Sequence, residues 1–405
     1  MSMKKKKKWI KFRHRVVRNV VSLALFPYTK WKFGVKAEPF KEQGERAYLI
    51  LMNHQTGFDQ FFVSMSFKGA VYYVATEDIF SKGWVSSLIR WLVAPIPIKK
   101  QTTDASAVIN CLRVAREGGT IAIAPEGNRT YSGKTEYISS SIAPLAKRLK
   151  LPIAIYRIEG GYGVQPRWSD RVRKGKMRAY VSRVIEPEEY SAMSDEELFT
   201  LIENELYVNE GISDGIYKSN KRAEFLDRAI YTCPFCGLAE HRAEGNEIIC
   251  KKCGRAVEYG EDKRLSGKGF DFPFSYVTEW YEHQKEHLLS LDLTKHTEEP
   301  LFCDSASLLE VIVNKNKRVL SKNASLRLYG DRVEIDENGE RLLTVPFDEA
   351  TAAAALGRNK CNMYCGGKVY QFKGDKHFNA LKYVNFYYRY TNLRKGDMDG
   401  KFLGL

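Results

Sequence analysis

The first 36 residues contain no Asp or Glu, although twelve of the chain's 64 Lys and Arg fall there. The net charge of +15 therefore belongs to one end, because the remaining residues set 52 basic against 49 acidic side chains. A body built to bind nucleic acid is not expected from that balance. No run approaches the roughly 20 apolar residues of a membrane-crossing helix. The segment after the basic start also lacks a clean apolar core, since Arg18 and Asn19 interrupt it, and no cleavable secretory signal is expected. Without that route, disulfides give way to metal as the use for paired cysteines in a reducing, cytoplasmic setting. Cys303, Cys361 and Cys365 have no matching partner pattern and read as ordinary thiols.

What the basic end does contain is five consecutive lysines, Lys4 to Lys8, followed by Trp9, Ile10, Phe12, Val16, Val17, Val20, Val21, Leu23, Leu25 and Phe26. Such a segment reads as an amphipathic helix lying on an anionic phospholipid surface, each cation contributing on the order of 1 kcal/mol. The competing reading is a disordered tail followed by a helix docked on the core. With 405 residues, 44% of them apolar, the chain has room for two or three domains.

From Phe33 to about Leu206, apolar strand-like runs alternate with helical patterns. Strands are expected near 47–52, 71–75, 120–124, 151–157 and 177–184, and helices near 59–67, 84–93, 104–117, 139–149 and 195–207. Asp104 suits a helix N-cap and Gly118-Gly119 a stop. Alternation of this kind predicts an α/β domain with a largely parallel sheet, whose functional groups gather at strand ends. Trp84, Leu88, Trp91, Leu92 and the Ile79-Phe80 run face the core or line an acyl-chain tunnel, core being the commoner fate of such stripes.

At the end of the first apolar run stands Asn53-His54-Gln55-Thr56-Gly57-Phe58-Asp59. A histidine at a strand mouth with a carboxylate five residues on can be a base held in one tautomer by its partner. The spacing alone is weak: about 0.4 chance matches are expected from composition. It occurs twice, and the second match, His287 to Asp292, encloses a leucine-rich helical face. About 70 residues beyond His54 comes Ala124-Pro125-Glu126-Gly127-Asn128-Arg129-Thr130, again after an apolar strand. That turn supplies a guanidinium fork, a hydroxyl and exposed backbone N–H groups, which suit a phosphate. Between the two lies Pro95-Ile96-Pro97-Ile98-Lys99-Lys100, extended and ending in two cations, and after them the strand Leu151-Pro152-Ile153-Ala154-Ile155.

In this order the four blocks resemble the glycerolipid acyltransferases of the 1-acyl-glycerol-3-phosphate acyltransferase type. Asn128 and Thr130 depart from the family's usual Thr and Ser, and Lys100 stands where Arg is usual. The resemblance spans about residues 36 to 205. It implies that His54 is the general base and Asp59 its orienting partner. It further implies that Asn53, Lys100, Glu126, Gly127, Arg129 and Thr130 bind substrate. The implied reaction moves a fatty acyl group from acyl-CoA or acyl-acyl carrier protein to the hydroxyl of a lysophospholipid, 1-acyl-sn-glycerol-3-phosphate first among acceptors. Another lysolipid or an amine as acceptor is an alternative. So is a non-enzymatic membrane or nucleic-acid adaptor built on the basic arm and the zinc ribbon read from the paired cysteines. The expected place is the cytoplasmic face of a membrane, as a peripheral protein, with an acyl carrier protein as a conceivable partner and no nucleic acid.

Cys233-Pro-Phe-Cys236 and Cys250-Lys-Lys-Cys253 have the spacing of a four-thiolate zinc site, with Gly237 and Gly254 suited to the turns. The pattern resembles a zinc ribbon, and a closed set of four sulfurs implies one structural Zn2+. His283 and His287 stand at i and i+4 but among hydrophilic neighbours, so a solvated helix face is expected. From about Ser305, short alternating strands (326–329, 332–335, 342–347 and 368–373) precede an aromatic helix, Phe378 to Tyr390. Strands closed by one helix resemble a pleckstrin-homology-like or lipid-binding barrel; a plain antiparallel partner-binding module fits equally. The expected organisation is a basic segment at 1–35, an acyltransferase domain at 36–215, a zinc ribbon at 225–262, a linker with a helix at 263–304 and a β-rich module at 305–395.

Overall fold

The structure is a computed structural model describing residues 8–76, 84–98, 105–312, 317–397 and 402–404. Asp104, Lys100, Ile79, Phe80 and Lys4 to Lys7 lie outside the described residues. The chain forms two compact units. The first comprises Met1–Arg129, Ile138–Val164 and Gly175–Glu210; the second comprises Thr130–Tyr137, Gln165–Lys174 and Gly211–Leu405.

The first unit is built on seven strands: β1 (Val35–Ala37), β2 (Leu49–Met52), β3 (Val71–Thr76), β4 (Ile96–Ile98), β5 (Thr120–Ile123), β6 (Ile153–Glu159) and β7 (Met177–Ile185). Their order is β1-β7-β6-β2-β5-β3-β4, parallel throughout except where β6 and β7 pair antiparallel. Parallel strands need both faces covered, which is why they appear in the sequence as continuous apolar runs. The covering helices are α1 (Phe12–Phe33), α2 (Asp59–Ser66), α3 (Trp84–Val93), α4 (Ala105–Arg116), α5 (Ile142–Leu149), the one-turn α6 (Gly161–Val164) and α7 (Pro187–Tyr190), and α8 (Asp195–Leu206). Leu49, Leu51, Ile121, Ile153 and Ile155 pack with Val114 of α4, Ala143 and Ala146 of α5, and Leu198 and Ile202 of α8. On α2, Ser66 shares a 2.8 Å hydrogen bond with the Tyr156 hydroxyl of β6. Ser194 caps α8 in a reciprocal pair with Glu197.

Helix α1 buries only His14, Thr29 and Phe33. It is fastened to α2 at both ends. The Arg18 guanidinium donates to the carbonyls of Ser64 and Phe67, each at 2.8 Å. The Phe33 ring lies 4.8 Å from that of Phe58. Gly34 ends α1 at φ +62°, where a Cβ would meet the Gly175 carbonyl oxygen at 2.5 Å, so neither the turn nor the close approach admits another residue. Phe12, Leu23 and Trp31 remain exposed.

In the second unit, β8 (Thr232–Cys233) and β9 (Gly237–Leu238) form a small hairpin. Beyond it, β10 (His241–Glu244), β11 (Glu247–Cys250), β12 (Ala256–Tyr259) and β13 (Leu265–Gly267) form an antiparallel sheet. Helix α9 (Val277–Ser290) follows. A second sheet contains β14 (Phe302–Glu310), β15 (Arg318–Leu328), β16 (Arg332–Glu337), β17 (Glu340–Pro346), β18 (Ala350–Leu356), β19 (Lys360–Cys365) and β20 (Lys368–Gly374). Its order is β17-β16-β15-β14-β20-β19-β18, all antiparallel, and α10 (Ala380–Arg394) closes it. Seven antiparallel strands followed by one closing helix make up the β-rich module. The mixed α/β domain, four-cysteine ribbon and β-rich C-terminal module are thus the architecture the sequence predicts. Trp168, Tyr131, Leu226, Trp280 and Tyr383 share one core in this unit, which accounts for the inclusion of 130–137 and 165–174.

Candidate functional site

Strands β2 and β5 are adjacent and parallel, with Leu51 opposite Ile123, so the loops that leave them emerge side by side at one sheet edge. Asn53 extends β2 by its side chain: Nδ2 donates to the Ile158 carbonyl at 2.9 Å and Oδ1 accepts from the Ile158 N–H at 2.8 Å. The amide imitates a backbone rung on β6, pinning the residue just before His54.

The next turn closes on Asp59, which is fully buried at the start of α2. Its Oδ2 is 2.8 Å from His54 Nδ1 and accepts from the Gln55 N–H at 2.8 Å. Its Oδ1 accepts from the Thr56 N–H at 2.9 Å and the Thr56 hydroxyl at 2.7 Å. These donors compensate the burial of a carboxylate, which would otherwise be costly. Because the carboxylate accepts, Nδ1 carries the imidazole proton and Nε2 is left as the basic nitrogen. The His54 side chain is about a quarter exposed (27%), so a substrate atom can reach it.

Glu126, buried on the loop after β5, brings the second block to the first: its Oε1 accepts from the His54 N–H at 2.9 Å. Gly127 adopts φ +67° and its N–H bonds the Ala124 carbonyl at 2.9 Å, a left-handed turn that glycine tolerates without strain. Arg129, three residues past Glu126, is half-buried at the end of this segment of the first unit. Thr130 belongs to the second unit, where its hydroxyl accepts from the N–H groups of Ser132 (3.2 Å) and Gly133 (3.0 Å). Lys100 lies outside the described residues. Among the residues predicted for the site, contacts join His54 to Asp59 and to Glu126, while Asn53 is spent on Ile158.

Thr56 was not among the expected site residues. Its signal is in the sequence nonetheless: Thr56-x-x-Asp59 has the hydroxyl-to-acid spacing of a helix-start capping pair. The α3 stripe, by contrast, is corrected. Trp84, Leu88 and Trp91 are exposed rather than core, since α3 turns this face away from the sheet.

Four thiols meet in the second unit. The sulfurs of Cys233, Cys236, Cys250 and Cys253 all lie within 4.8 Å of one another, the only such group of potential metal ligands among the described residues. Cys233 and Cys253 are 3.9 Å apart. A tetrahedral zinc with Zn–S near 2.3 Å needs sulfur–sulfur edges of about 3.8 Å, so the donor set fits the ion. Each pair sits on a tight turn, with the Cys236 N–H on the Cys233 carbonyl at 3.2 Å and the Gly254 N–H on the Cys250 carbonyl at 2.9 Å. Burial pushes the Cys233 thiol up to about 12, a proton that a bound metal would displace. The face carrying His283 and His287 is half-buried rather than solvated: the His283 ring packs 5.1 Å from Phe274, and His287 lies against Gly237.

Residues 34–158 match the family model described as Acyltransferase, and this segment is an acyltransferase-family domain. Among solved structures, the chain is similar to the 1-acyl-sn-glycerophosphate (LPA) acyltransferase PlsC from Thermotoga maritima. The two are 21% identical over 48% of this chain and 78% of that one, with a TM-score of 0.39. No curated protein matches the chain.

Proposed function

We propose that this protein transfers a fatty acyl group from an acyl thioester to the hydroxyl of a lysophospholipid, 1-acyl-sn-glycerol-3-phosphate being the foremost acceptor. The observation that carries the proposal is the His54–Asp59 pair at 2.8 Å, with Nε2 as the basic nitrogen and Glu126 bonded to the same loop. His54 removes the proton of the acceptor hydroxyl as that oxygen attacks the thioester carbonyl. Asp59 orients the imidazole and stabilises the imidazolium; the thiolate leaves directly, with no covalent enzyme intermediate. Arg129, with Lys100, meets the acceptor's phosphate, and Gly127 opens the turn that carries Arg129. Asn53 acts from behind, by fixing the strand end. The donor is acyl-CoA or acyl-acyl carrier protein.

No helix among the described residues is long and apolar enough to cross a membrane. Helix α1 instead presents exposed Phe12, Leu23 and Trp31 beside the cations of Arg15, Lys30 and Lys32, which supports peripheral binding to an anionic phospholipid surface. The four thiols would hold one structural Zn2+, whose chemistry is to cross-link two turns.

Release of free thiol from acyl-CoA or acyl-acyl carrier protein, scored across a panel of lysophospholipids, tests the proposal. Lysophosphatidate should be the best acceptor, and His54→Ala should lower turnover by at least roughly a thousandfold while leaving the fold intact. A fully active His54→Ala protein, or no thiol release with any acceptor, would sink it. Deleting residues 1–30 should abolish sedimentation with anionic vesicles; unchanged sedimentation would remove the surface role.

A further inference from the structure

A histidine paired with a buried aspartate occurs twice among the described residues, and the two carboxylates are satisfied differently. His377 Nδ1 lies 2.7 Å from Asp227 Oδ2, which also accepts the Ala243 N–H at 2.9 Å, while Asp227 Oδ1 is buried without a hydrogen-bond partner. In the His54 pair, both carboxylate oxygens are occupied, and the additional donor is a hydroxyl. The Thr56 oxygen accepts from the Phe58 N–H at 3.0 Å. That bond fixes the lone-pair side of the hydroxyl, and its proton is then directed at Asp59 Oδ1, 2.7 Å away. Thr56 is itself fully buried, so no water competes for either bond.

We propose that Thr56 is a positioning residue for the reaction: its hydroxyl locks the Asp59 carboxylate in the one orientation that keeps the His54 proton on Nδ1 and the base on Nε2. This rests on the reading of His54 as general base. The geometry gives the hydroxyl two tasks. The His54 ring and the Gln55 N–H hold Oδ2, whereas the Thr56 N–H is shared, at 2.9 Å from Oδ1 and 3.1 Å from Oδ2, and so ties down Oδ1 only weakly. The hydroxyl bonds Oδ1 alone and so holds the second oxygen of the carboxylate, completing the tether of its plane. It also draws acceptor strength from the carboxylate, so that when His54 takes the substrate proton, the imidazolium keeps its Nδ1 proton rather than passing it to Asp59.

Removing the hydroxyl should therefore alter chemistry more than binding. Thr56→Val keeps the shape and deletes the donor; Thr56→Ser keeps the donor and deletes the methyl. Thiol release from acyl-CoA with lysophosphatidate should show kcat lowered roughly tenfold to a hundredfold in Thr56→Val, the range of one hydrogen bond to a charged group. KM should stay within about twofold, because Thr56 does not face substrate. The acidic limb of the pH–rate profile should move to higher pH, since a carboxylate freed of one donor favours the imidazolium more strongly. Thr56→Ser should restore both turnover and profile. Should Thr56→Val not fold, as judged by thermal melting, Thr56→Ala against Thr56→Ser supplies the same contrast. Wild-type turnover and an unmoved profile in the folded hydroxyl-less variant, with His54→Ala inactive, would overturn the role of Thr56 and leave the base in place. An active His54→Ala protein would overturn both.

Discussion

Glu126 accepts the backbone N–H of His54 on Oε1 at 2.9 Å, joining residues 72 positions apart. The turn after β5 therefore holds the loop after β2 by its main chain, whatever else it does for substrate. Glu126→Ala should cost about 1.5–3 kcal/mol of stability, as a hydrogen bond to a charged acceptor does, and lower turnover by misplacing His54. Glu126→Gln keeps an acceptor and should retain most of both. Denaturant unfolding and thiol release check this; an alanine variant as stable and as active as the parent would show that the bond holds nothing.

Asn53 gives the strand end a side-chain rung. Asn53→Ala leaves the N–H and carbonyl of Ile158 buried without their partner, at ~1–3 kcal/mol for each group. Asn53→Asp offers an acceptor to the N–H but repels the carbonyl, and should be no better. KM for the acceptor should change little in whatever folded protein remains, because both amide atoms are already engaged. A large rise in KM with unchanged stability would return Asn53 to direct substrate contact.

His14 ties α1 to the sheet through a 3.1 Å hydrogen bond to the Tyr72 hydroxyl. Burial, with Arg13 and Lys11 nearby, holds its imidazole below the ordinary histidine range. Burial likewise pushes Tyr72 up to about 12, so at neutral pH both rings are uncharged and share one hydrogen bond. Above the unfolded value near 6.5, neither state is protonated and docking is at full strength. As pH falls through that value, the undocked helix takes up a proton that the docked one resists, and docking weakens. Limited proteolysis after α1 should quicken as pH falls below about 6.5. His14→Gln should flatten that dependence, and identical acid sensitivity in both proteins would exclude His14 as its source.

The four sulfurs should bind one zinc per chain, released by chelator or by Cys→Ser at any one position. Thiol ligands must lose their protons, so affinity should climb with pH. The N–H of Tyr231, two residues before Cys233, donates to Gln284 Oε1 of α9 at 2.6 Å, and the Trp280 indole of the same helix donates to the Thr232 carbonyl at 2.9 Å. Metal removal should therefore raise hydrogen exchange in β8 and α9 together. A metal-free protein with native exchange there would show that the ribbon stands without the ion.

The buried strands were legible because a parallel sheet demands unbroken apolar runs: Leu49 to Met52, Ile121 to Ile123 and Ile153 to Tyr156 announced themselves. Strand β18 did not. Ala350-Thr-Ala-Ala-Ala-Ala-Leu356 has the composition of a helix, and only tertiary packing makes it extended. Its alanines are nearly all buried beside α10, whose Tyr387 hydroxyl donates to the Ala350 carbonyl at 2.8 Å; small side chains let the aromatic helix lie close. Within the site, the motif residues named themselves by spacing, but the contacts did not. That Asn53 serves β6, that Glu126 holds a backbone N–H, and that Thr56 completes the Asp59 shell are facts of three-dimensional approach. A linear pattern carries residue types and separations, not which oxygen meets which hydrogen.

Trp168 and Tyr131 lie upstream of residue 210, yet their cores are made by residues after 222. A ribosome finishing residue 210 has synthesised every strand of the first sheet while two stretches of that nascent chain still wait for partners not yet made. Recombination that exchanged the C-terminal half for an unrelated one would strip an indole and a phenol of their surroundings. The two halves of this gene are bound to travel together.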